Sequence, residues 1–249
     1  MSSTDPRHIV RSYEQELEGL RGMIARMGGL VESQTANAIN AVLNRDGEAA
    51  QYAMEQDPEV DALERDIEGR AIRMLALRAP MAQDLREIVS VLKVTSDLER
   101  IGDYAANIAK RSLRLGRIGP ESTMGSPALG GLRNMGRLVQ ENLRLAIDAL
   151  SQNDRDKAFE VWQSDKAVDE LYTAMFRELI TYMMEDPRNI SPCTHLLFIA
   201  KNLERIGDHC TNIAEHVHYA VTGEMLPPSR PRGAPYTDRD GGTSQDGAE

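Results

Sequence analysis

The sequence predicts an all-α protein built as two tandem, pseudo-symmetric three-helix bundles. Three observations carry that expectation. Aromatic residues make up only 4% of the 249 residues, and the 12 Met outnumber Phe, Trp and Tyr combined. Strands favour aromatic and β-branched side chains, so this balance suits helices. Apolar residues recur at alternating spacings of three and four, the signature of one buried helix face. Finally, the chain repeats itself. Leu98–Ala109 and Leu203–Ala214 match at nine of twelve positions, at an offset of 105. Upstream the offset is 108: Met27-Gly28, Ala38-Ile39, Asp57 and Val60-Asp61 match Met135-Gly136, Ala146-Ile147, Asp165 and Val168-Asp169. A repeated unit of this length is one supersecondary block used twice.

Six helices follow in order. The first is expected near 8–45, ended by Asp46-Gly47. The second, near 47–78, carries Val60, Leu63, Ile67 and Met74 on one stripe and stops before Pro80. Within it, Asp57-Pro58-Glu59 also fits a helix start, an N-cap followed by Pro at N1. The matching Asp165 is followed by Lys166, so that signature exists in one copy only. The third helix, near 82–115, has Val91, Val94, Leu98, Ile101, Ala105 and Ile108 as an a/d seam for packing on other helices. Gly116 to Pro127 separate the two units, at 8–118 and 126–222. The fourth helix, near 128–152, ends at Asn153-Asp154, and the fifth, near 155–185, at Asp186-Pro187. The sixth, near 192–221, repeats the seam with Leu196, Ile199, Leu203, Ile206, Cys210 and Ile213. Short turns make helices within each triplet antiparallel. Residues 223–249 hold four Pro and five Gly and are expected to form a disordered tail.

Charge and missing motifs exclude several functions. Lys and Arg total 29 against 39 Asp and Glu, a formal charge of -10. Nucleic acid and anionic membranes repel such a chain. No leader pattern opens it and no run is long and apolar enough to insert in a membrane, so a cytoplasmic protein is expected. Cys193 and Cys210 lack zinc-site spacing. There is no phosphate-binding glycine loop and no nucleophile elbow, so the chain is not expected to be an enzyme.

Acidic pairs are the chemistry-bearing feature. Asp57/Asp61, Glu99/Asp103, Asp165/Asp169 and Glu204/Asp208 are each spaced i, i+4, one turn apart on one helix face. Asp57 and Asp103 are equidistant from Pro80, as are Asp61 and Glu99. Asp165 with Asp208, and Asp169 with Glu204, are equidistant from the Asp186–Pro187 bond. Antiparallel hairpins therefore set each group of four carboxylates at one level. Such a group needs protons or cations. Asn107 and Asn212 extend the stripes by a turn. Oxygen-only donors suit Mg, Ca, Mn or Fe better than zinc, which wants His or Cys. Gly102 and Gly207, each just before an acid, fit either backbone access beside the groove or close helix packing. Arg100 and Arg205 are expected in solvent, His209 and His216 at the surface or in packing, and Cys210 in the core. Glu215 and His218 form a single E-x-x-H, short of a ferritin-like di-iron set.

Lys201–Glu215, K-N-L-E-R-I-G-D-H-C-T-N-I-A-E, resembles the C-terminal signature of the PhoU family of phosphate-specific transport accessory proteins. Pro80–Arg86 followed by Asp97–Asp103 resembles its first-half signature. The resemblance spans about residues 8–222, with Tyr13-Glu14-Gln15-Glu16-Leu17 in place of the usual F-D-x-E-L. It implies tandem three-helix bundles whose E(D)-x-x-x-D motifs bind multinuclear metal clusters. Carried over, those ligands are Asp57, Asp61, Glu99, Asp103, Asp165, Asp169, Glu204 and Asp208, with Fe, Mn or Mg favoured over Zn. It further implies a cytoplasmic, often homodimeric regulator of phosphate uptake. Such a regulator represses the phosphate-starvation response, acting as an adaptor between the phosphate ABC transporter and a sensor histidine kinase. The alternative is a metal-dependent hydrolase of a phosphate compound, in which clustered carboxylates hold two metals.

Overall fold

A computed structural model describes residues 6–78, 80, 82–117 and 127–227. Of the tail expected over residues 223–249, residues 228–249 lie outside them. Six α-helices follow in order: α1 (Pro6–Asn44), α2 (Gly47–Arg78), α3 (Ala82–Gly116), α4 (Pro127–Gln152), α5 (Arg155–Glu185) and α6 (Ile190–Thr222), with a 3-10 turn at Pro187–Asn189 before α6. Among the described residues there is no strand, and no helix is long and apolar enough to cross a membrane.

Local chemistry explains the boundaries, and the repeat extends to it. Arg45 (φ 54°) and Asn153 (φ 51°) turn the chain into the left-handed region at equivalent positions. The next residue in each copy closes the helix behind it: Asp46 N–H donates to Ala41 O at 3.2 Å, and Asp154 N–H to Ala149 O at 2.9 Å. The same aspartates then cap the following helix. Asp46 Oδ1 accepts from Ala49 N at 2.9 Å, and Asp154 Oδ1 from Asp156 N and Lys157 N at 2.9 and 3.1 Å. Asp57 is not an N-cap: Pro58 sits inside α2, which begins ten residues earlier at Gly47. The proline removes a backbone donor. Just upstream, Gln34 Nε2 donates to Ala53 O at 3.0 Å.

Helices α1, α2 and α3 pack together, as do α4, α5 and α6. The halves join through α1 on α4 and, far more extensively, α3 on α6. The seam residues Val94, Leu98, Ile101 and Ile108 and their partners Ile199, Leu203, Ile206 and Ile213 are all at most 1% exposed. The α1/α4 crossing shows why the repeat keeps its glycines. A Cβ on Gly28 would lie 3.3 Å from Ile147, and one on Gly136 would lie 3.1 Å from Ile39. These are reciprocal contacts between repeat-equivalent residues, as a pseudo-two-fold axis requires. Gly102 and Gly207 are packing glycines too: a Cβ there would meet Val60 and Val168, each at 3.3 Å. Of the two expectations for these glycines, close packing is the one the structure supports. Cys210 is fully buried, and burial pushes its thiol pKa up, which leaves it inert.

Candidate metal centre

The α5/α6 hairpin brings Asp165, Asp169 and Asp208 together. One carboxylate oxygen from each lies within 4.8 Å of the other two. Asp165 is buried, Asp208 half-buried and Asp169 exposed, so the group runs from the interior to the surface. Thr211 Oγ1 donates to Asp165 Oδ1 at 2.9 Å, fixing the innermost carboxylate. Burial raises the Asp208 pKa, and repulsion from Glu204 and Asp169 adds to it. Asp169 is raised by burial and by Glu204. Both shifts mean that protons, or a cation in their place, relieve the cluster.

Glu204 behaves differently from the other three predicted acids. Lys201 Nζ donates to Glu204 Oε1 at 2.6 Å, while Glu204 Oε2 is buried and has no hydrogen-bond partner. The lysine ammonium also lies 5.1 Å from the Tyr172 ring centroid. Lys201 thus supplies part of the counter-charge that a cation would supply.

In the first repeat Asp57, Asp61, Glu99 and Asp103 are all partly buried. Burial raises Asp57, a 3.2 Å hydrogen bond from Gln34 Nε2 opposes the rise, and Asp103 adds to it. Burial also raises Glu99, followed by repulsion from Asp103 and Glu64 and a smaller contribution from Asp61. The Asp57–Asp103 and Asp61–Glu99 couplings join the residues equidistant from Pro80. Glu64 is an unforeseen member. Burial raises its pKa, with Glu68 and Asp61 adding to the shift. Its repeat counterpart is Tyr172, so the repeat pattern gave no signal for it. The two sites therefore differ: Glu64 joins the first, where Arg100 lies 3.8 Å from Glu99 and Lys110 acts on Asp57, while in the second Lys201 is hydrogen-bonded to Glu204.

The amide positions do not extend the grooves equally. Asn107 is exposed on α3. Asn212 turns its amide nitrogen to Asp97, donating to Oδ1 at 3.2 Å. Asp97 is a second residue that no spacing or repeat pattern singles out. It is 8% exposed and joins the two halves. His209 Nδ1 lies 2.7 Å from its Oδ1, and His216 Nε2 lies 3.4 Å from its Oδ2. Burial pushes the Asp97 carboxyl up, but these hydrogen bonds outweigh it and hold the pKa below the ordinary value. His209 and His216 are thus partners of a buried carboxylate rather than plain surface groups.

The donor set fits a hard cation. It is all oxygen, anionic and graded from buried to open. Glu204, whose Oε2 is buried without a hydrogen-bond partner, repels both Asp169 and Asp208. Asp165, Asp169 and Asp208 would hold such an ion, with Glu204 Oε2 beside them. The ion would supply positive charge and polarise any oxygen bound to it.

Two tandem helical bundles related by an internal repeat, with acids gathered on the second hairpin, define a class of duplicated α-helical proteins. The PhoU domain matches the chain twice, over residues 24–112 and 132–217. A phosphate-specific transport system accessory protein PhoU homolog from Caulobacter vibrioides is 50% identical over 90% of this chain and 96% of its own. Its Xylella fastidiosa counterpart is 49% identical over 92% and 93%. The crystal structure of PhoU from Pseudomonas aeruginosa superposes with a TM-score of 0.82 at 44% identity, covering 85% of this chain and 100% of that one. The phosphate transport system regulatory protein PhoU from Streptococcus pneumoniae gives 0.77 at 32% identity, over 86% and 99%. The chain belongs to the PhoU family.

Proposed function

We propose that this protein is an accessory regulator of phosphate transport. It restrains uptake and represses the phosphate-starvation response, acting as a metal-binding adaptor between the phosphate ABC transporter ATPase and a sensor histidine kinase. The observation that carries the reading is the similarity over nine-tenths of the chain to relatives named as accessory proteins of the phosphate-specific transport system. The geometry supports a binding role over turnover. Asp165, Asp169 and Asp208 converge in the second repeat, and burial with mutual repulsion raises the pKa values of several acids in both repeats, which a bound cation would relieve.

In this reading the protein is cytoplasmic, works as a homodimer and reaches the membrane through its partners. Hard cations such as Mn, Fe or Mg occupy both grooves. They change the charge a partner meets, which couples metal occupancy to docking. A deletion strain grown in ample phosphate should express its starvation genes constitutively, and the intact chain should restore repression. Repression that persists without the protein refutes the regulatory role. Purified metal-loaded protein that turns over phosphoesters or polyphosphate would favour the hydrolase alternative.

A further inference from the structure

The α3/α6 seam has two ends, and they carry opposite electrostatics. These helices run antiparallel, with Asp97 beside His209 and His216 at one end and Arg111 beside Phe198 at the other. The repeat relates the two ends residue by residue. Arg111 stands where the other end has His216, and Asn202 where it has Asp97. One end therefore has a carboxylate for its cationic groups, and the other has an amide. Phe198 stands where the first repeat has Lys93.

The result is a cationic patch with no ion-pair partner among the described residues. Arg111 stacks its guanidinium 4.0 Å over the Phe198 ring, which is 48% exposed. Arg114 follows one turn later on α3, and His195 precedes Phe198 by one turn on α6. Burial and then Arg114 lower the Arg111 pKa. Burial, then Arg111 and Arg114, lower that of His195, whose Nδ1 is buried without a hydrogen-bond partner. Among the described residues, no carboxylate figures among the charges acting on either group. Elsewhere in the chain Arg21, Arg26, Arg70 and Arg137 each find an acid within 3.2 Å, whereas here two arginines and a histidine lie together.

We propose that Arg111, Arg114, His195 and Phe198 form a docking face for an acidic surface of a partner protein. Under the reading above, on which this rests, that partner is the phosphate transporter. Charge complementarity sets the sign, and the exposed aromatic carrying a stacked arginine supplies the anchor. Arg and aromatic residues dominate binding energy at protein interfaces. The patch lies on open surface formed by two helix faces, which suits a protein contact better than a small ion.

The test uses the full chain and the detergent-solubilised transporter from the same organism, with affinity measured by biolayer interferometry. Arg114→Glu and Phe198→Ala should each weaken binding by about tenfold or more, and the wild-type interaction should weaken as salt rises. Both residues are exposed, so circular dichroism and melting temperature should stay unchanged. Arg144→Glu, an equal charge change at an exposed α4 position, should bind like wild type. If wild type binds and the patch variants bind equally well, the assignment is wrong while the proposed function stands. If wild type does not bind the transporter at all, both fall. If inorganic phosphate displaces the transporter and shifts the His195 ring resonances in wild type but not in Arg111→Gln, the patch is a small-anion site and the docking assignment is overturned.

Discussion

Replacing Gly102 by Ala tests how the second and third helices set the first acidic groove. On propensity alone the change should stabilise a helix interior by about 0.8–1.0 kcal/mol. The surroundings oppose it. The new methyl would lie 3.0 Å from Gln34 Oε1 and 3.3 Å from Val60 Cγ1. Gln34 is fully buried and cannot yield freely, because its Nε2 holds both Ala53 O and Asp57 Oδ1. Overpacking of this kind costs about 1–3 kcal/mol. The net effect should run from no change to a loss of about 2 kcal/mol. Gly69 is the control, since it lies on the same hairpin in α2 with nothing within 4 Å of its added Cβ. Gly69→Ala should gain the full propensity increment. The two variants should therefore separate by about 1–3 kcal/mol in urea unfolding of metal-free protein. Equal gains from both would refute the packing account of Gly102 and restore backbone access as its purpose.

Other outcomes follow from the same geometry. Asp46→Ala and Asp154→Ala should each cost about 1 kcal/mol in chemical denaturation, because each removes an N-cap. Leu203→Ala, at a seam position 1% exposed, should cost about 2–5 kcal/mol by the same assay. Asp57, Glu64, Glu99, Asp169 and Asp208 all have raised folded-state pKa values. The folded state then binds more protons than the unfolded one, so these acids make metal-free protein less stable as pH rises from the ordinary carboxylate range towards their folded values. Asp97, with a lowered value, acts in the opposite sense, its contribution being lost as pH falls through that value. Asp169→Asn/Asp208→Asn should therefore flatten the part of the pH–stability profile due to the second groove, as read from urea midpoints. An unchanged profile would remove that pair from the cluster.

Much of the fold was legible because its determinants are local. Pro80, Asp46, Asp154 and Asp186-Pro187 end or cap helices through contacts a few residues away, and the expected boundaries agree with the structure within about two residues. The levelling of carboxylates was legible for a related reason. An antiparallel hairpin with a short turn fixes which residues meet, so counting from the turn gives the pairs. Contacts between the halves were not legible. Nothing in the spacing of Asp97, His209 and His216 says that α3 and α6 run antiparallel across the molecule. Within each half, hairpin packing decides that Gly102 and Gly207 receive Val60 and Val168. Glu64 and Lys201 each exist in one repeat only, with Tyr172 and Ser96 at the equivalent positions, so the pattern shared by the repeats carries no sign of them. Asp57-Pro58 misled in one respect. The pair is a helix start in isolation, but α2 continues through it, with Gln34 donating to the backbone just upstream.

Binding of manganese to metal-free protein, measured by equilibrium dialysis and electron paramagnetic resonance, tests the carboxylate grooves most directly. Wild type should retain manganese and melt at a higher temperature with it, because the ion binds only the assembled groove. Asp165→Asn/Asp169→Asn/Asp208→Asn should lose the second groove's share of bound metal while remaining folded, since removing the charges relieves repulsion. A triple variant that binds as much manganese as wild type, with the same thermal gain, would contradict the assignment of this site.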